Sequence, residues 1–88
     1  MLKKTTIVWG SAEDQNHPNL STARLVKITE MLQAEKIHLI EAEIVNDYTT
    51  IRFWKDQAAA EEFVTFITTE AAKHGSTIVS ATIEDHVE

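Results

Sequence analysis

The chain has 88 residues, a formal net charge of −6 and no cysteine. That length provides for one domain over 1–88, with an ordered core expected over about 4–85. The acidic balance argues against nucleic acid or an anionic membrane as partner, because both require a basic face to neutralise phosphates. The missing cysteines exclude a disulfide framework, a thiolate metal site and a thiol nucleophile.

Thr5 to Trp9 is β-branched and aromatic and is closed by Gly10, which predicts a strand. Its apolar run is too short for a signal-peptide core or a membrane span, and a cytoplasmic location is expected. Ser11 to Asn19 is polar and reads as a loop, long for so small a domain and therefore a place to look for function. Leu20 to Lys36 reads as a helix, with Leu25, Ile28 and Leu32 at helical spacing, Val26 and Met31 widening the stripe, and Asn19 or Ser21 as cap. His38 to Asn46 alternates as a strand. Asp47-Tyr48 is a turn, and Thr49 to Lys55 is a third strand with Ile51 and Phe53 on one face.

Asp56 caps the strongest helix, about Gln57 to His74, in which Ala60, Phe63, Val64, Ile67 and Ala71 recur at steps of three and four. Gly75 follows as a C-terminal stop. Thr77 to Glu84 alternates as a fourth strand, and Asp85 to Glu88 reads as a frayed polar tail.

A short turn at Asp47-Tyr48 pairs Ile44 with Ile51, Ala42 with Phe53 and Glu43 with Arg52, so that apolar meets apolar and opposite charges meet. Two right-handed crossovers joined by this hairpin give β-α-β-β-α-β, a ferredoxin-like α+β fold. The expected architecture is a four-stranded antiparallel sheet with two helices on one face. The other face would hold Trp54, Ile78 and one of Val8 or Trp9. Such a greasy face, together with apolar doublets in every strand, predicts a homodimer in which two sheets face each other.

The stretch Phe53-Trp54-Lys55-Asp56-Gln57-Ala58-Ala59-Ala60-Glu61-Glu62-Phe63 resembles the strand-to-helix corner of the dimeric α+β barrel superfamily, which includes antibiotic-biosynthesis-monooxygenase-like proteins. The order of elements agrees over nearly the whole chain. The resemblance implies a dimeric α+β barrel, a small cavity beside each sheet and, among the activities of the group, cofactor-free oxygenation of a small aromatic or quinol-type substrate. The group also holds proteins of no known activity, so a non-catalytic small-molecule-binding or dimerisation module is the alternative.

On the enzyme reading His17 is the candidate base and Asn46 the candidate oxyanion donor. Trp9, His38, Arg52 and Trp54 are candidate ligand-binding residues, the tryptophans by stacking. Simpler roles stand beside these: a helix-entry loop for His17, a turn for Asn46, a strand end for His38, the Glu43 pair for Arg52, and core or dimer packing for both tryptophans. Glu41 and Glu43 share a strand face but have no histidine at ligand spacing, so no metal and no cofactor are expected.

Overall fold

The computed structural model describes residues 2–35 and 39–86; side chains at 39–45 lie outside the description. The elements are β1 (Leu2–Trp9), α1 (Ala12–Gln15), α2 (Pro18–Gln33), β2 (Leu39–Asn46), β3 (Thr49–Trp54), α3 (Gln57–Lys73) and β4 (Ile78–His86). Strand order across the layer is β2-β3-β1-β4, with every neighbouring pair antiparallel.

The α+β class stands, but the uniform four-stranded sheet under two helices is corrected on both counts. The regularly paired part is three-stranded. β1 runs in unbroken register against β3 from Lys3↔Trp54 to Val8↔Thr49, and against β4 from Leu2↔His86 to Val8↔Ser80. β2 joins the β3 edge through an interrupted register, pairing at Leu39↔Phe53, Glu43↔Ile51, Ile44↔Thr50 and Asn46↔Thr49 with two irregularities between. Among the described residues the helices are three, because part of the expected loop at Ser11–Asn19 folds into α1. Its cap is Ser11, whose Oγ accepts the Asp14 N–H at 3.1 Å.

The hairpin shows how one residue inverts a strand. Asn46↔Thr49 across the two-residue turn fits the expected register, but the next pair is Ile44↔Thr50, one residue short. A shift of one exchanges the two faces of a strand. Accordingly Thr50, Arg52 and Trp54 lie on the helix side with Thr5, Ile7 and Trp9. The uncovered side carries Ile51 and Phe53 with Thr6 and Val8. Trp54 and Ile78, expected on the bare face, instead face the helices, Trp54 fully buried and Ile78 packed against the core.

Trp54 is held there by an interaction that needs a polar atom in the core. Its indole Nε1–H donates to Thr5 Oγ1 at 2.8 Å, and Thr5 is itself wholly buried. Across the layer the indole packs on Phe63 at 4.7 Å between ring centroids. Around this pair lie Ile7, Trp9, Leu20, Met31, Ala59, Ala60, Ile67 and Ala71.

α3 supplies most of the helical half of that core. The Asp56 carboxylate accepts the Ala59 N–H at 2.9 Å, and Gly75, at φ +72°, takes the left-handed conformation that ends the helix. α2 follows its sequence pattern less closely. Leu20 and Met31 are buried, but Leu25 is 66% exposed, and Val26 and Leu32 also reach solvent. Its entry residue is His17, with Pro18 in the first turn and no side-chain cap, where Asn19 or Ser21 was expected. α2 is joined to α3 by Lys27, which reaches Glu62 at 3.0 Å and lies over the Phe66 ring.

One end of the sheet exceeds the expected strands, where the start of β1 pairs with the end of β4. Lys3 pairs with Asp85, Lys4 with Glu84 at 3.8 Å, and Phe53 stacks obliquely on His86, so the expected frayed tail is strand as far as His86.

The buried Thr5–Trp54 bond yields a direct test. Thr5→Val conserves shape and removes the acceptor, leaving an indole N–H unsatisfied in the core. Urea unfolding should show a loss of about 1–3 kcal/mol, the cost of an orphaned buried donor. An unchanged midpoint would show that the bond does not hold Trp54.

Candidate functional site

Among the described residues the helix side of the sheet is mainly apolar, apart from Thr5 and one polar cluster. Between α1, α2 and β3 lie Gln15, Arg24, Thr50 and Arg52, and each part of this cluster has a local cause. α1 is a single turn wedged at the end of the sheet, which aims Gln15 inward. The Gln15 amide Nε2 donates to the Asp47 carbonyl at 2.9 Å, and its Oε1 accepts the Thr50 hydroxyl at 2.6 Å. Gln15 and Thr50 are both buried. The wedge is locked from its other side by Ser76, whose hydroxyl donates to the Asp14 carbonyl at 2.9 Å.

Arg24 reaches back from α2 to this wedge. Its Nη1 donates to the Gln15 carbonyl at 3.2 Å and its Nη2 to Ser21 Oγ at 3.4 Å. Arg52 comes from β3, two residues before Trp54 and hence on the same face, with its guanidinium 5.2 Å from the centre of the Phe63 ring. Burial pushes the Arg52 guanidinium down to about 10, and the like charge of Arg24 adds to the depression. Burial lowers Arg24 as well. Both remain charged at neutral pH. Two half-buried cations thus lie on this side, and among the described side chains no carboxylate pairs with either; the side chain of Glu43, the partner expected for Arg52, lies outside the description.

The sequence-derived candidates are dispersed over other roles. Trp9 and Trp54 are core residues. Asn46 is exposed at the hairpin, where its Oδ1 accepts the Tyr48 N–H at 3.0 Å and so closes the turn. His17 stands at the start of α2 with its ring stacked on His74 at 5.3 Å, and its Nδ1 is buried without a hydrogen-bond partner. His74 lies 3.5 Å from Glu70. His38 lies outside the described residues. Of the five described candidates Arg52 alone joins the cluster; Gln15, Arg24 and Thr50 were not singled out by sequence. Among the described residues no group of three or more acidic or histidine side chains is placed to hold a metal ion. Among those same residues no helix is long and apolar enough to cross a membrane.

No family model matches the chain, and neither the curated proteins nor the solved structures contain a match to it.

The state of Arg52 has a consequence for stability. A guanidinium held below its ordinary pKa destabilises the fold while it is charged in both states. That penalty is relieved as pH rises through about 10 toward the unfolded value, since the unfolded chain then binds more protons. Arg52→Met keeps the stem against Phe63 and removes the charge. Its urea midpoint should exceed that of wild type at neutral pH, and the gain should shrink above pH about 10. A lower midpoint at neutral pH would show that the charge is compensated.

Proposed function

We propose that the protein is a small-molecule-binding module whose ligand seats on the helix side of the sheet, against Arg24 and Arg52. One observation supports the reading: two half-buried guanidiniums on the helix side, Arg52 on the Phe63 ring and Arg24 on the Gln15 carbonyl, with no carboxylate partner among the described side chains. Perturbed charges of this kind concentrate where a protein binds or reacts. The Arg24 hydrogen bonds and the Arg52–Phe63 contact offset part of their cost, and a bound anionic partner would offset more. The catalytic alternative needs His17 and Asn46 at a reacting centre, and their side chains are engaged with His74 and the Tyr48 N–H.

The test is backbone and arginine side-chain NMR of the labelled chain with mixtures of small metabolites. Shift changes should gather at Gln15, Arg24, Thr50 and Arg52. Changes confined to other surfaces, or none with any mixture, would refute the site.

A second reading concerns self-association. The uncovered sheet face has Thr6, Val8, Ile51 and Phe53, all half-buried, at its centre and the oppositely charged Lys4 and Glu84 at its rim. A face carrying both signs around an apolar centre can meet a second copy of itself about a two-fold axis. Sedimentation equilibrium should then give twice the chain mass for wild type and the single-chain mass for Phe53→Glu. A wild-type chain that sediments as a monomer at high concentration refutes this reading and leaves the ligand site standing.

A further inference from the structure

We propose that the groove between α2 and α3 is a second binding site, and that it takes a primary ammonium carried on a small apolar body. The inference goes beyond the arginine site and does not depend on it, since none of Gln15, Arg24, Thr50 and Arg52 lines this groove.

The two helices leave an open cavity of about 280 Å³ along their seam. Ala23, Val26, Lys27 and Glu30 line it from α2, and Phe66 and Glu70 from α3. Ala23, Val26 and Phe66 form its apolar wall, and Val26 is an exposed side chain that the core does not use. Small-molecule pockets begin at roughly 300 Å³, so this groove suits a single ring or a short alkyl chain.

Charge narrows the class. Lys27 brings a cation to the groove, but its ammonium is already held by Glu62 at 3.0 Å, reaches Glu30 at 3.6 Å and lies 5.5 Å from the centre of the Phe66 ring. Glu70 is less well served. Its side chain is only 14% exposed, and its two oxygens meet Lys73 at 3.4 Å and His74 at 3.5 Å. The histidine is a cation only when protonated, and Lys73 is exposed, so its pull is screened by water. Hydrogen bonds from a cationic nitrogen to a carboxylate are shorter when well formed, about 2.7–2.9 Å. A largely buried carboxylate thus lines the groove with long contacts alone, and a second, Glu30, lines it from the facing helix. An ammonium seated there would give Glu70 the short hydrogen bond it lacks and lay its apolar body on Val26 and Phe66. An anion would meet two carboxylates, and a neutral ligand would leave Glu70 without compensation.

The experiment titrates the full chain at neutral pH with benzylamine, benzyl alcohol and methylamine, following the Ala23 and Val26 methyl and Phe66 ring resonances. Benzylamine should move all of them and bind at least about tenfold more tightly than the alcohol, which lacks the charge, or methylamine, which lacks the body. Glu70→Gln should weaken benzylamine about ten- to hundredfold and leave benzyl alcohol unchanged. Glu30→Gln alters an exposed side chain without risk to the fold, and should weaken benzylamine about two- to fivefold. Benzyl alcohol binding as tightly as benzylamine overturns the ammonium assignment. Methylamine binding as tightly overturns the apolar body. Benzylamine that leaves the groove resonances unmoved, or that binds both glutamine variants as tightly as wild type, overturns the proposal outright. None of these outcomes moves the resonances of Arg24 and Arg52, by which the arginine site is judged.

Discussion

The structure turns on one hydrogen bond between two buried side chains. β3 alternates, so a single residue decides which half of the strand lies under the helices. Trp54 makes that decision. Its ring is the largest fully buried side chain, and its N–H requires an acceptor that only a polar core atom can give. Thr5 on the neighbouring strand supplies it. Once Trp54 is inside, Arg52 and Thr50 must be inside as well, at successive steps of two. The polar cluster is therefore a consequence of where the tryptophan sits, and the aromatic face of Phe63 makes the position of the arginine tolerable.

This arrangement sets stability against binding. The same layer could hold an apolar residue at position 52 and fold more firmly. Keeping a desolvated cation there, beside a second one, is the kind of local conflict that consistent folds confine to functional places. The wedge formed by α1 makes the conflict specific. By tying Gln15 to Thr50 and to the Asp47 carbonyl it leaves the two arginines as the charged groups of the region.

Much of the fold was legible in the sequence because several local signals agreed. α3 has a carboxylate cap, a five-residue apolar face and a terminal glycine, and all three act as read. The first strand as far as Trp9 and the Asp47-Tyr48 turn were equally plain. Three things were not. The face of β3 was misread because Ile51 and Phe53 look like the apolar set, and pairing parity from the turn supports that choice. An irregularity just beyond Asn46↔Thr49 cancels the parity, and composition does not signal it. α1 was read as loop because one helical turn carries no periodicity, although the Ser11-x-x-Asp14 spacing was its available sign. In α2 the Leu25–Ile28–Leu32 stripe matched helical spacing, yet the helix settles on α3 through Leu20 and Met31 and turns Leu25 outward. The candidate site suffered from the same inversion. With Trp54 placed on the open face, Arg52 could be linked only to Glu43, and Arg24, one of three charged residues on α2, gave no reason to look at it.

The account is tested most directly by hydrogen exchange at the Trp54 indole N–H, followed by NMR and assigned by its disappearance in Trp54→Phe. A donor bonded to Thr5 in the core should exchange only through opening of the whole fold, at the rate of the slowest backbone amides of β1. Exchange at the rate of a free indole in water would place the ring outside the core, reverse the faces of β3 and remove Arg52 from the site.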